Sequence, residues 1–511
     1  MVSTVYRVHH PTVDTEVDRY TRRSVKVGQG EPPLAKDLEL ARTAVGPLVE
    51  KQNRQELDAY QSLAWHSSLA GLPVLNLDDV SAIPFLVDIE GVEEYQHRAR
   101  LRAGDGDLFA AGTAQSEVYE DYCREKLKLG QSEYVFAPGD GNPLTVAHSC
   151  SRGKVFSRLA SRAREAGGMV LHPYMGIQAV WELARKIAGT SGQPVGVLAP
   201  PPPVTWIAND KATFGEVVTR VLGTEYIVET LRGAAPDTLA RNLTELATRH
   251  RRVALKRLRC ASAMGNAVFE ADSITAFDSG ELEVEVRAFL DRTEWDGREE
   301  VLAVAWEDTD LSPSTQLWIP PTGLGLPRLD GIYEQLLRGE RRVFVGSRPS
   351  TLPDKVNDRL GAASLKVAAG LQALGYVGRC SFDFLVVGNV SDDFAIRFVE
   401  CNGRWGGTST PMALLDRLLE RQDNRPAGNP RPPYRAQDFV NPGLVGAPIG
   451  DILAAVGEDL FDPKTGKGRF VFYNVGPLDV FGKLDVIALG RSQDAAEAAV
   501  EEDLPRLLGL S

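Results

Sequence analysis

The chain has little cysteine, little lysine and no long apolar run. Five cysteines (Cys123, Cys150, Cys260, Cys380 and Cys401) stand far apart in 511 residues with no Cys-x-x-Cys pair, which argues against both a disulfide framework and a thiolate metal site. No segment approaches the roughly 20 apolar residues that a bilayer span requires. The N-terminus, with Arg7, His9, His10 and Asp14 close together, lacks the form of a signal peptide, so a cytoplasmic protein with no membrane partner is expected. Positive charge is also in deficit: a net charge of −12 speaks against nucleic acid as the main partner, because that binding relies on Lys and Arg neutralising phosphates. The seven histidines show no ligand spacing. Only 14 of the 57 basic residues are lysine, so a lysine inside an apolar segment carries information.

What is present is ample core material, 43% hydrophobic with 25% charged residues, enough for about two to four domains. "GMVLHPYM" and "QPVGVLAPPPPVTWIAND" flank the helical "QAVWELARKIAG", a strand–helix–strand unit of the kind that builds a parallel sheet. Pro200 to Pro203 read as a stiff extended connector. "KATFGEVVTRVLG" is an amphipathic helix stopped by Gly223. A compact α+β unit follows: strand "EYIVET", helix "DTLARNLTELATRH", then strands "RRVALKRL", "NAVFEA" and "LEVEVRAFL". Helix "DRLGAASLKVAAGLQAL" leads into "VGRCSFDFLVV" and "FAIRFVECN", which read as a hairpin. "RQDNRPAGNPRPPYRAQDF" reads as a linker or mobile loop, and "RFVFYNVG", "KLDVIALG" and "SQDAAEAAVEEDLPRLL" as a C-terminal module.

Strand parity places Ile396, Phe398, Glu400 and Asn402 on one face, with Asp383 of "SFDF" opposite or diagonal to Glu400. Two carboxylates and an amide oxygen suit Mg²⁺ carrying a polyphosphate, since the carboxylates repel unless a cation sits between them. Arg404 is placed to neutralise charge on a transferred phosphoryl group, and the Gly406–Gly407 turn lets a substrate approach the backbone. A solvent-facing strand exit is the plainer alternative. In "RRVALKRLRCASAMGNAVF", Lys256 ends a strand before a loop of small residues, Ser262, Ala263, Met264, Gly265 and Asn266, which either folds over phosphates or forms an ordinary hairpin. Lys211 sits at a helix start against the helix dipole, where a phosphate or simple exposure would accommodate it. In "VEVRAFLDRTEW", backbone at Ala288, Phe289 and Leu290 could pair with an adenine edge, with Asp291 and Glu294 as ribose acceptors. "SPSTQLWI" either lines an acceptor pocket or is a buried strand, and His172 and Cys401 read as structural.

The order of these pieces resembles the ATP-grasp superfamily from about Asn209 to Pro411, with "ECNGR" as its Glu-x-Asn-x-Arg. More narrowly, "LKRLRCASAMGNAVFEA", "SPSTQLWIPPTG", "VECNGRWGGTSTP" and "YNVGPLDVFGKLDVIAL" are similar to the bacterial peptide ligases typified by the enzyme of pheganomycin biosynthesis. The resemblance implies an ATP-grasp fold, two α+β subdomains clasping ATP, preceded by an α/β pre-ATP-grasp domain. Its expected boundaries are residues 1–208 for the N-terminal segment and leading domain, 209–290 for the lid, 291–420 for the metal-bearing subdomain and 421–511 for linker and C-terminal module. It implies that Lys211, Lys256 and the 262–266 loop hold the nucleotide. Asp383, Glu400 and Asn402 would hold two Mg²⁺, with Mn²⁺ as a substitute, and Arg404 would steady the transferred phosphate. The implied reaction joins a small carboxylate to an amine or peptide acceptor through an acyl phosphate, in natural-product biosynthesis; an ATP-grasp kinase or carboxylase, or a non-catalytic ATP-binding module, is the alternative, and homodimerisation is left open. Many such ligases carry an arginine two residues before the first metal carboxylate. Here that residue is Ser381, which leaves Arg379 or Arg287 to do the job.

Overall fold

The computed structural model describes residues 35–510 apart from 85, 87–88, 140, 261–264, 339–342 and 423–429. Helix α1 (Ala35–Ala44) opens the chain. Five strands, β1 (Val74–Leu77), β2 (Leu108–Ala111), β3 (Glu133–Phe136), β4 (Met169–Pro173) and β5 (Val195–Val197), form a parallel sheet in the order β3-β2-β1-β4-β5. β1, β2, β4 and β5 are buried along their whole length, the pattern of a sheet covered on both faces. Helices α2 (Gly153–Ala166) and α3 (Gln178–Ser191) make the crossovers, and Trp181 on α3 fills the core beneath them. Next come α4 (Pro202–Asn209) and α5 (Lys211–Leu222). The expected proline connector is thus a correction: Pro202 and Pro203 open α4 at its first two positions, where a missing N–H costs nothing and φ is already helical.

A second, antiparallel sheet of four strands follows, β6 (Thr230–Gly233), β7 (Arg252–Arg257), β8 (Asn266–Glu270) and β9 (Val301–Ala305), ordered β6-β9-β7-β8 and packed against α6 (Pro236–Ala247) and α7 (Ser279–Arg292). The expected strand "LEVEVRAFL" is α7. Its N-terminus carries a capping box between Asp278 and Glu281, and Leu282, Val286, Phe289 and Leu290 form a helical stripe in the core of this unit. Because β9 completes the sheet, the unit runs to Ala305, beyond the expected boundary at 290.

The third part is an eight-stranded sheet of β10 (Pro313–Ile319), β11 (Arg328–Arg338), β12 (Val343–Pro349), β13 (Gly378–Gly388), β14 (Phe394–Asn402), β15 (Tyr434–Val440), β16 (Phe470–Asn474) and β17 (Lys483–Leu489). Its order is β14-β13-β10-β11-β12-β15-β17-β16. Helix α8 (Asp354–Ala373) covers it and carries α1, whose Leu38 and Ala41 pack on Ala369; α9 (Ser409–Leu419) follows β14. The C-terminal strands are therefore not a separate module. The expected linker contains β15, joined to β12 through Gly346↔Gln437 and Ser347↔Ala436; the rest of its Pro-rich stretch, 423–429, lies outside the described residues. In outline the architecture is the expected one, an α/β leading domain followed by two α+β parts that face each other across a cleft. All five cysteines are free thiols, and among the described residues no helix is long and apolar enough to cross a membrane.

The β12–β15 junction depends on a glycine. A Cβ at Gly346 would meet the Ala436 carbonyl oxygen and come within 2.5 Å of Gln437 Cβ. Gly346→Ala should cost about 1–3 kcal/mol by overpacking, read from urea unfolding; unchanged stability would contradict this pairing.

Candidate active site

β13 and β14 pair antiparallel with Ser381↔Asn402 and Asp383↔Glu400, and the register then slips so that Phe384 faces Phe398 and Val399 is unpaired. This β-bulge corrects the simple parity reading. Ile396 and Phe398 lie in the core under α8, whereas Val399, Glu400 and Asn402 turn to the cleft beside Ser381 and Asp383, the re-aiming that bulges provide. Asn402 Nδ2 donates to Asp383 Oδ2 at 2.9 Å. Burial, then the Glu400 charge, pushes the Asp383 carboxyl up to about 7, because a buried carboxyl beside a second carboxylate ionises less readily. Among the described residues no group of three or more His, Cys, Asp or Glu is placed for a metal. The donor set is two carboxylates and one amide oxygen, which fits a hard divalent cation whose remaining ligands are waters and phosphate oxygens.

Lys211 heads α5, where Asp210 caps the helix by accepting from the Ala212 and Thr213 N–H groups. That acidic cap answers the dipole conflict posed by the sequence. Lys211 Nζ reaches Glu400 Oε2 at 2.9 Å. Burial opposes the lysine charge, but Glu400 outweighs it and holds Lys211 above its ordinary range; against the same cost of burial, Lys211 holds Glu400 below its own. Lys256, on β7, faces the cleft with Nζ 5.1 Å from the centre of the Trp306 ring. Burial, then the Lys211 charge, brings it down to about 8.

Arg404 follows β14 and donates from Nη1 to Asn209 Oδ1 at 3.3 Å, the same oxygen that accepts from Gly403 N at 3.0 Å. A Cβ at residue 403 would stand 2.6 Å from Asn209 Nδ2 and 2.9 Å from Ala208 Cβ, so only glycine lets α4 approach this turn. Trp405 Nε1 donates to His172 Nε2 at 3.3 Å, which fixes His172 in a structural role.

Lys211, Lys256, Asn266, Asp383, Glu400, Asn402 and Arg404 thus line one cavity of 750 Å³ between the four-stranded sheet and the large sheet, within the usual range for ligand sites. Gly265 stands at the start of the hairpin, its carbonyl accepting from Arg257 N at 2.9 Å, and a Cβ there would lie 2.6 Å from Cys260 Sγ. Ser262 and Met264 lie outside the described residues. Four expectations are corrected. Ala288, Phe289 and Leu290 belong to α7, with Phe289 and Leu290 in the core of the four-stranded unit, and none of the three lines the cavity. Glu294 is an exposed residue after that helix, at φ 49°. Arg287 is exposed on α7 and pairs with Glu283. Arg379 has a fully buried side chain paired with Asp330, behind the cleft wall and against Trp318 and Trp405.

Residues 288–294, expected beside an adenine edge and ribose, do not line the cavity, whose wall includes Ala305, Trp306 and Glu307, where β9 ends. Its signal, an apolar strand running into acidic residues, is present in "VLAVAWED" as clearly as in the segment chosen. Asn209 was missed as a site residue; Ser314 and Gln316 on β10 line the cavity, so "SPSTQLWI" is a buried strand that is also part of the wall.

No family model matches the sequence, and no curated protein matches it. Similar solved structures include biotin carboxylase from Campylobacter jejuni, complexed with an ATP analogue (14% identity, TM-score 0.48, 80% of this chain and 86% of that one). Another is N5-carboxyaminoimidazole ribonucleotide synthetase from Thermus thermophilus (15% identity, TM-score 0.47, 86% and 97%). A third is the biotin carboxylase domain of the Hydrogenobacter thermophilus 2-oxoglutarate carboxylase with MgADP and bicarbonate (14% identity, TM-score 0.49, 82% and 91%).

Lys256 offers a direct check of the site's electrostatics. Its acetylation rate, followed by peptide mass spectrometry against pH, should rise through a midpoint near 8, and Lys211→Met should move that midpoint up by removing a like charge. A midpoint near that of ordinary lysine would contradict the burial described.

Proposed function

We propose that the chain is an ATP- and Mg²⁺-dependent carboxylate–amine ligase of the ATP-grasp type that forms a peptide or amide bond through an acyl phosphate. The observation that carries this reading is the convergence of Asp383, Glu400 and Asn402 with Lys211, Lys256 and Arg404 in one cleft between two sheets. A carboxylate and an ammonium do not couple in water, because the carboxylate has no leaving group; phosphorylation supplies one, and a closed cleft keeps water from the activated acyl group.

Each residue has a part in that scheme. Lys256 and Lys211 neutralise the polyphosphate, and backbone at 305–307 borders the base. Asp383, Glu400 and Asn402 would hold Mg²⁺, two ions on this reading, which when bound would draw negative charge off the phosphate oxygens. Arg404, held by Asn209, meets the transferred phosphoryl group and then the acyl phosphate. The substrate carboxylate oxygen bonds to the γ-phosphorus as the bond to ADP breaks; the amine nitrogen then bonds to the acyl carbon, expels phosphate and gives up its proton. Peptide bond formation in natural-product biosynthesis is the specific setting we favour, on the strength of "VECNGRWGGTSTP" and the C-terminal "YNVGPLDVFGKLDVIAL".

Incubation with Mg-ATP, hydroxylamine and a panel of amino acids and small carboxylates should give ADP together with a hydroxamate. AMP in place of ADP would indicate adenylation and contradict the scheme, and ADP without hydroxamate would favour a kinase. Glu400→Gln should abolish ADP release while changing nucleotide affinity only modestly, measured by calorimetry; a variant that stays active would overturn the metal assignment.

A further inference from the structure

The cavity does not end with the residues assigned above. It continues beneath the other end of the large sheet, where Tyr95 and Arg98 of the leading domain face Asp438 on β15, Tyr473 on β16, and Lys483 and Asp485 on β17. Three strands, β10, β11 and β12, separate this arm from the carboxylates on β13 and β14, so it is no part of the nucleotide-binding set.

The charges in this arm are not all spent on one another. Lys483 Nζ pairs with Asp438 Oδ2 at 2.5 Å. Asp485 is 2% exposed; its Oδ2 accepts from Asn474 Nδ2 at 3.1 Å, while Oδ1 is buried with no hydrogen-bond partner. A buried acceptor without a donor costs its full desolvation penalty, a cost that an incoming cationic N–H group removes. Burial, then the Asp438 charge, pushes the Asp485 carboxyl up to about 8, so a cation placed beside it would favour its ionised form. Arg98, also buried, donates from Nε to the Tyr95 carbonyl at 3.3 Å, and among the described residues no other hydrogen bond occupies its fork. Its charge is close enough to act on Asp485. The Tyr95 ring lies 4.4 Å from the Arg98 guanidinium and 5.1 Å from Lys483 Nζ, and the neighbouring wall is apolar, with Ile83, Val92 and Phe481.

We infer that this arm is a subsite for the zwitterionic end of an α-amino acid with a large apolar side chain, its ammonium on Asp485 and its carboxylate on Arg98. The inference rests on the ligase reading for its setting, and it names a free α-amino acid as the class of ligand that this arm holds. An opposed cation and anion, both dehydrated, select a zwitterion over an amine or an acid alone, because each single-charge ligand leaves one buried group unanswered.

The test uses the full chain, with and without Mg-ADP, and three probes measured by calorimetry: phenylalanine, phenethylamine, which lacks the carboxylate, and 3-phenylpropionate, which lacks the ammonium. Phenylalanine should bind most tightly. Asp485→Asn, close to isosteric, should weaken phenylalanine and phenethylamine at least tenfold and leave 3-phenylpropionate unchanged, with Mg-ADP affinity and melting temperature as in the parent protein. Arg98→Gln should show the opposite selectivity. Equal loss for all three probes, unchanged binding in Asp485→Asn, or no probe binding to a protein that does bind Mg-ADP would overturn the subsite. Probe binding with the expected selectivity in a protein that fails to bind Mg-ADP would keep the subsite and overturn the nucleotide reading instead.

Discussion

The whole site depends on one irregularity, the unpaired Val399 on β14. A regular strand that buries Phe398 under α8 must send Glu400 to the same buried side, where a charge next to Phe382 and Phe384 would be untenable. One extra residue resolves the conflict. It keeps Ile396, Phe398 and Cys401 in the core while Glu400 and Asn402 face Asp383 across the strand pair. The price is a like-charge pair, which adds to burial in raising the Asp383 pKa; Lys211 relieves it on the Glu400 side, and Arg404 acts on both carboxylates.

Around that bulge α4 and the leading domain are tied to the large sheet at the β14 exit. Asn209 closes α4 onto Gly403 and Arg404. Immediately afterwards Trp405 is held in the leading domain by the Tyr174 carbonyl and His172. The buried guanidinium groups of Arg102 and Arg379 lie 4.9 and 5.4 Å from its ring. Burial, followed by these two cations, keeps His172 well below its usual range, so it remains a neutral acceptor. Positioning of Arg404 is thus a property of the whole assembly rather than of one loop, which is the preorganisation that charge stabilisation requires.

Much of this was legible in the sequence. The two lysines, the paired carboxylates and the Asn-x-Arg exit were found because lysine is rare here and because polar residues ending an apolar strand are conspicuous. The misreadings share a physical origin. "ELEVEV" alternates like a strand, yet Asp278 and Glu281 cap it and the apolar residues beyond follow a helical stripe, so local capping and tertiary burial outweighed a short period-two pattern. Pro202 and Pro203 looked like breakers because only their position at a helix start makes them harmless. β15 was hidden behind a Pro- and Arg-rich stretch, although Tyr434, Ala436 and Phe439 are all buried. The bulge was invisible, since it arises from pairing across strands. The Asp485 arm was equally so, since its residues come from positions 95 to 485 of the chain.

On the proposed reading, Asp383, Glu400 and Asn402 hold the divalent cation that carries the polyphosphate. Anomalous scattering from Mn²⁺ in crystals grown with a non-hydrolysable ATP analogue tests it most directly. A peak is expected between the Asp383 and Glu400 carboxylates, in contact with phosphate oxygens and lost in Glu400→Gln. A nucleotide bound in the cleft with its metal elsewhere, or with no metal between these two side chains, would contradict it.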